Sequence, residues 1–471
     1  MTWRCLLAYI LGRKKLRYLL AVICVILYLY TTLIRLMMFG GIEKIEDRTL
    51  KTSKDIHLGF SQMSNDELQW IPQDPETVER FGEWNTSLGR KYIIIFRHYE
   101  QLGRATSNLL ALCAIAKHGE RNVVAPFVNN SRMAGLPYGV GHHFRKKRII
   151  SFSPFQTYFD VKQVNELLKS NGYSTLTSFH EMEKNCNRRL DVVVHFLYHK
   201  RKSIEDAMSW YRISELELQN IYSSARQNDG WTNCPYIKKS NIAQQLGEFK
   251  ISRYLCIDPE IIRTVESLEN KVLRGANCVG IVQWKGVGRD RSHFELSRTS
   301  VLRPSDLRHN AQLIDLARSF VKTSGLGKSF ISIHVRAERH IFRKGDNITQ
   351  QCFKKLAARV QKLREKHNWN VYLACDIVDH GSDTLIHDVS KRKRLALYRE
   401  LMKLLHFPKT LSRIKGLYDA GAAAIIEMHI LAEGKKLVTL GGGNYQEWLV
   451  QLFTRNVRDL RHSLYRVCEM R

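Results

Sequence analysis

At 471 residues, 44% hydrophobic and 25% charged, the chain is long enough for two or more domains and apolar enough to bury cores, which excludes a globally disordered protein. Its net charge is +29, from 74 Lys and Arg against 45 Asp and Glu. Removing the six bases of the first 40 residues (Arg4, Arg13, Lys14, Lys15, Arg17, Arg35) leaves +23 spread along the rest. That balance favours anionic partners, whether nucleotides, acidic glycans, nucleic acid or phospholipid headgroups, without choosing among them.

Tyr18–Ile34 carries no charge, and past Arg35 the apolar run resumes with Leu36, Met37, Met38 and Phe39. A helix needs about 17–25 such residues to cross a bilayer. Five bases precede the run, and Glu43, Lys44, Glu46, Asp47 and Arg48 follow it. The bias of positive charge toward the cytosol then reads residues 1–17 as a cytosolic tail, 18–39 as a transmembrane signal-anchor helix and 40–90 as a luminal stem. A cleaved signal peptide is the alternative, but the run is long for one and no small-x-small cleavage site follows. A luminal body argues against nucleic acid as a partner. Eight cysteines (Cys113, Cys186, Cys234, Cys256, Cys278, Cys352, Cys375, Cys468) lie beyond the anchor without CxxC spacing, so no zinc site is expected and some pairing is. Sequons stand at Asn85, Asn129 and Asn347, in keeping with a lumen.

Past the stem, Lys91–Arg97 reads as a strand, His98–Ser107 as a loop bearing Gly103, Asn108–His118 as a helix and Asn122–Phe127 as a strand, together one βαβ unit. Residues 128–300 have little periodicity, and the basic run Arg145–Arg148 reads as a solvated loop. In the last third, helices near Asn310–Lys322, Gln351–His367 and Ala422–Ala432 alternate with strands Phe330–Val335, Val371–Ala374 and Leu437–Leu440, before a final helix at about Tyr445–Phe453. Helices alternating with short apolar strands imply a parallel, doubly wound α/β sheet. The expectation is two Rossmann-like halves facing a cleft, over residues 91–300 and 301–471.

Ligands of such sheets sit beyond the carboxyl ends of the strands. One strand ends in His334-Val335-Arg336, where a guanidinium can hold a phosphate or balance charge on a leaving diphosphate; an ion pair with Glu338 is the equal alternative. A second ends in Asp376, which can accept from a ribose or base, or simply cap the next turn. A third leads through Gly441-Gly442-Gly443-Asn444-Tyr445 into a helix, where backbone N–H groups can meet an anion. Glu427 lies mid-helix among apolar residues, where a carboxylate wants a partner. No DxD, Walker or GxSxG motif is present, so the expectation is a transferase that needs no metal or cofactor.

Four segments resemble the GDP-fucose transferase superfamily, which includes the protein O-fucosyltransferases and the α1,2- and α1,6-fucosyltransferases. They are LGRATSNLLALCAIAKHGERNVVAPF (102–127), SPFQTYFDVKQVNEL (153–167), ISIHVRAERH (331–340) and IIEMHILAEGKKLVTLGGGNYQEWL (425–449). The resemblance implies a GT-B fold with an N-terminal acceptor-side half and a C-terminal donor half, and inverting, metal-independent transfer from GDP-fucose to a glycan or glycoprotein. By the same resemblance Arg336 and His334 are the catalytic pair. Asp376, read from its strand end, joins Glu427, Gly443, Asn444, Tyr445, Gly103, Arg104 and Asn108 in the donor-binding set. The sequence departs from the family where Ala337 follows Arg336 in place of a second Arg, and where Gly443 and Asn444 replace two hydroxyl residues. No motif marks a catalytic base; Glu100 is a candidate by position. The expected protein is a type II membrane fucosyltransferase of the Golgi or ER. A transferase of another nucleotide sugar and an inactive, anchored glycan- or protein-binding module are the alternatives.

Overall fold

A computed structural model describes residues 91–140, 149–197, 208, 212–240, 242–286, 302–377, 391–411, 419–457 and 459–469. The expected tail, anchor and stem, the sequon at Asn85 and the run Arg145–Arg148 lie outside these residues. Among the described residues no helix is long and apolar enough to cross a membrane.

The N-terminal half is built on one nine-stranded sheet. Its central strand β1 (Lys91–His98) is an unbroken apolar run because both of its faces are covered. Ile93 and Ile95 enter one core, and Tyr92, Ile94 and Phe96 enter another. Next come helix α1 (Leu102–Ala116), β2 (Arg121–Val124), the hairpin of β3 (Phe127–Asn129) and β4 (Arg132–Ala134), and α2 (Val161–Ser170). The half is completed by β5 (Leu176–Thr177), β6 (Val192–Phe196), β7 (Trp231–Asn233), β8 (Tyr254–Ile257) and β9 (Cys278–Trp284). The spatial order is β7-β8-β6-β9-β1-β2-β5, and only the β7–β8 pairing on this path is antiparallel.

Helix α1 begins well before the expected Asn108, so the segment read as a loop is mostly helix. Its polar residues satisfy themselves within the coil. The Thr106 hydroxyl donates to the Leu102 carbonyl at 2.7 Å, and that of Ser107 to the Gly103 carbonyl at 3.0 Å. The strand expected at Asn122–Phe127 is divided into β2 and β3.

The C-terminal half follows the expected rhythm. Helix α3 (Ala311–Thr323) leads to β10 (Phe330–Val335), then come α4 (Ala337–Lys344), α5 (Asp346–His367) and β11 (Asn370–Cys375). After them come α6 (Ala420–Glu433), β12 (Lys436–Leu440), α7 (Asn444–Asn456) and the edge strand β13 (Leu464–Val467). The strands lie in the order β11-β10-β12-β13, all parallel. The sheet is covered on both faces. Ile331, Ile333 and Val335 pack with Phe353, Leu356 and Val360 of α5, while α6 and α7 belong to the core that also takes in β1 and α1. Three disulfides form, Cys186–Cys278, Cys234–Cys256 and Cys352–Cys468; Cys113 and Cys375 are free and buried.

The two sheets share one continuous core, and two seams join them. In the first, Phe159 stacks on Phe155 and His309 and lies parallel to Trp448 of α7, at centroid distances of 4.6, 5.4 and 6.3 Å. In the second, Asp419 caps α6, accepting from the N–H groups of Gly421 (2.7 Å) and Ala422 (2.9 Å) and from the Tyr158 hydroxyl. Its other oxygen accepts from the N–H of Asn130 in the β3–β4 turn at 3.1 Å, and the Asn130 side chain accepts from the N–H of Ala420 at 3.0 Å. This clasp fixes the start of α6 to the other half. Tyr158→Phe is expected to lower unfolding free energy by about 1–2 kcal/mol in denaturant titration. Gly421→Ala should also destabilise, against the helix preference for Ala, because its Cβ would stand 2.0 Å from the Tyr158 oxygen.

Candidate functional site

Strand β10 alternates, so Ser332 and His334 face away from the side covered by α5. The His334 ring lies 5.2 Å from that of Tyr445 in the first turn of α7. The strand ends at Val335, and Arg336 becomes the residue that opens α4. Its N–H donates to the Leu440 carbonyl at 2.9 Å, which ties the end of β10 to the end of β12. The glycine turn follows at once. Gly441 (φ +94°) and Gly443 (φ +123°) occupy conformations that side chains resist, and a Cβ on Gly441 would stand 2.7 Å from the Arg336 carbonyl oxygen.

Helix α7 starts at Asn444 with no side-chain cap, leaving its first N–H groups available to an anion. Gly103 in the first turn of α1 lies against this point; a Cβ there would sit 3.3 Å from the Tyr445 nitrogen. The Tyr445 hydroxyl donates to the Ala424 carbonyl at 2.7 Å. The fold therefore brings Arg336, His334, Gly443, Asn444, Tyr445 and Gly103 together, from opposite halves of the chain.

The guanidinium of Arg336 is half-buried, and among the described residues it forms no ion pair or hydrogen bond, so the pairing with Glu338 does not form. Asp376 takes the simpler of its two roles. Its carboxylate caps α4, accepting from the N–H groups of Ala337 (2.8 Å) and Glu338 (3.2 Å). Burial pushes Asp376 up to about 6, against the pull of those N–H groups and of Arg336. Burial, and then the neighbouring Asp376, push Glu338 up to about 7, with Arg336 and Arg394 opposing. His334 is lowered to about 4 by burial and then by the charge of Arg336, so its imidazole is neutral at physiological pH. Glu427 is buried in α6, near enough that its charge adds to burial in raising the hydroxyls of Tyr372 and Tyr445.

Not every expected residue joins this group. Arg104 is half-buried on the first turn of α1. Asn108 turns toward the end of β9: its carbonyl accepts from the Trp284 indole at 2.7 Å, and its side chain leaves no room for a Cβ on Gly286. Glu100 is exposed, just before α1, with a left-handed backbone. The grouping His340, Cys352 and Cys468 has metal-ligand residue types, but both thiols are consumed by the disulfide.

Several polar residues of the region escaped sequence reasoning. Gln446 lies beside His334 and donates to the Gly441 carbonyl at 3.4 Å. At the carboxyl ends of the N-terminal strands, His98, His195 and Lys285 are all buried. Burial lowers His98 to about 3, and burial with the charge of Lys285 does the same to His195. The Lys285 ammonium lies 5.3 Å from the centre of the Tyr99 ring. Their common signal is a polar residue at or near the end of an apolar strand run, as in KYIIIFRH, VVVHF and IVQWK.

No protein-family model matches the chain, and no curated protein matches it in sequence. Among solved structures the chain is similar to POFUT1 in complex with GDP-fucose, at 12% identity over 82% of this chain and 100% of that one, with a TM-score of 0.47. It is also similar to POFUT1 in complex with GDP, at 12% identity over 80% and 99% of the two chains and a TM-score of 0.45. To the fucosyltransferase NodZ from Bradyrhizobium the figures are 11% identity, 77% and 92%, and a TM-score of 0.34.

The raised carboxyl of Glu338 gives the site a signature in pH. A carboxyl whose folded pKa lies above its unfolded value contributes stability at low pH and loses it as pH rises through the folded value, about 7 here. Glu338→Gln removes that charge. Its melting temperature relative to the unaltered protein should therefore rise between pH 5 and pH 8, and a constant difference across that range would contradict the placement.

Proposed function

We propose that this chain is a glycosyltransferase that moves fucose from GDP-fucose to a hydroxyl of a protein or glycan, by inverting transfer without a metal. The observation that carries the reading is the placement of Arg336, which forms no ion pair or hydrogen bond among the described residues, beside the Gly441–Gly443 turn and the uncapped start of α7. A half-buried guanidinium gains most from a ligand that supplies the missing charge, and a diphosphate also accepts from the helix N–H groups. The resemblance of the sequence segments around this point supplies the identity of the donor.

In this mechanism the acceptor oxygen attacks the anomeric carbon as the bond to the diphosphate oxygen breaks. The acceptor proton passes to a base, and the electron pair leaves with GDP. Arg336 and the α7 N–H groups balance the charge that grows on the departing diphosphate. His334, neutral and packed on Tyr445, keeps a second positive charge away from the arginine and fixes the ring beside the glycine turn. Gly441 and Gly443 let the main chain approach the ligand where a side chain would block it.

In the same reading the chain is a type II membrane protein of the Golgi or ER, held by residues 18–39 with its body in the lumen. The three disulfides and the uncharged span support that placement. Protease protection in sealed microsomes tests it. The body should resist digestion until detergent is added, and digestion without detergent would place it on the cytosolic side.

Transfer with purified protein and a panel of GDP- and UDP-sugars tests the chemistry. Arg336→Ala is expected to lower kcat by about 10²–10³-fold, in line with removal of one donor to a developing anion. Arg336→Lys should recover only part, because an ammonium lacks the planar fork. A folded Arg336→Ala variant with unaltered turnover would remove the assigned role. Absence of GDP binding by calorimetry would favour an inactive binding module, and turnover of a different donor would reassign the sugar.

A further inference from the structure

The charge of the chain is not used up at the glycine turn. A cavity of about 450 Å³ opens between α5 and β13, lined by Lys355, Arg359, Leu464, Tyr465, Arg466 and Val467, within the about 300–1,000 Å³ of small-ligand sites. It belongs to the sheet face covered by α5, opposite the face that carries His334. β13 is an edge strand with β12 on one side only. The disulfide Cys352–Cys468 joins α5 to the residue that follows β13, so the two walls are covalently tied.

The cations here are unequal. Arg466 is paired with Glu469. Lys355 and Arg359, one turn apart on α5, are exposed, and among the described residues neither forms an ion pair. The same holds for Lys362 and Lys366, which continue the helical spacing past the cavity. The row runs about 16 Å at the rise of an α-helix. A single ion needs no such row; a linear polyanion does. The one aromatic ring of the cavity, Tyr465, has the Arg359 guanidinium 4.9 Å from its centre, so the face that a nucleobase would stack on is taken.

We infer that this cavity and the cationic row of α5 form a second anion site, which binds a sulfated saccharide chain. Sulfate groups on successive sugars lie against Lys355 and Arg359 in the cavity and against Lys362 and Lys366 beyond it, and the saccharide needs no aromatic platform. The site stands whether or not the chain transfers fucose.

The test is calorimetry of the full chain with a size-defined heparin hexasaccharide at several salt concentrations, beside an oligonucleotide of equal charge and vesicles of anionic lipid. The hexasaccharide should bind, more weakly as salt rises. Lys355→Glu with Arg359→Glu should weaken it by roughly a hundredfold, about tenfold for each charge-assisted contact. Lys322→Glu with Lys328→Glu, equally exposed and remote in sequence, should change it by less than about threefold. Should the double reversal at the cavity fail to fold, Arg359→Gln alone should still cost roughly tenfold. No binding, equal loss in both reversed pairs, or tighter binding of the oligonucleotide or vesicles at these residues would each overturn the assignment.

Discussion

The contact on which the site depends is that of Gly103 with the backbone of Tyr445. Two helices from opposite halves meet at their first turns, so closely that even a methyl group on Gly103 would be tight, 3.3 Å from the Tyr445 nitrogen. What holds them there is the burial of α7: Trp448, Leu449 and Phe453 are at most 2% exposed in the core shared by both sheets. Each such side chain is worth about 1.5–3 kcal/mol in area removed from water. The clasp of Asp419 on the β3–β4 turn and the stack of Phe159 with Trp448 act on the same relationship from other sides. The start of α7 is therefore positioned by packing rather than by its own sequence.

Against that frame, the electrostatics around Arg336 are unbalanced in one direction. Two carboxyls lie close to it, yet neither forms an ion pair with it. Asp376 spends one oxygen on the N–H groups that open α4, and burial raises both acids so that they ionise late. A protein seeking only stability would pair the guanidinium, because a half-buried charge without a partner is costly. Under the proposed function, the arrangement leaves the guanidinium without an ion pair while burial holds both neighbouring acids above their usual range. His334 belongs to the same pattern, since a charged imidazole two residues away would set a second positive charge beside Arg336.

Much of the C-terminal half was legible in the sequence because its strands are short apolar runs alternating with helices, but the helix α4 and the edge strand β13 were not anticipated. β10 falls on the expected Phe330–Val335, and α3 is displaced by one residue at each end. The glycine turn was legible for the same reason, being set between a strand and a helix. The start of α1 was not, because Gly103, Thr106 and Ser107 are poor helix formers on average, and only the intrahelical hydroxyl bonds and the contact with α7 explain them. The middle of the chain was opaque because all its strands but β9 are two to five residues long and their partners lie far away in sequence, as β6 does from β9. Asp376 illustrates a different limit. A carboxylate at a strand end has the same sequence signature whether it meets a ribose or caps a helix, and only the two N–H contacts separate the roles.

Gly443 and Asn444 occupy positions where the fucosyltransferases that the sequence resembles have hydroxyl side chains, and that substitution is the strongest feature in favour of an inactive relative. Its force depends on which atoms hold the anion. A hydroxyl can be lost by mutation, but the N–H groups at the start of α7 belong to the main chain and survive any change except proline. Gly443 also has a conformational duty, because its φ of +123° is one that serine or threonine would resist. With glycine there, the backbone can close nearer to a phosphate than a hydroxyl-bearing residue would allow. In the proposed site, direct main-chain donors would then stand in for side-chain donors at the same point. Under the proposed function, the departures would change how the anion is held and leave the charge of Arg336 to act on it.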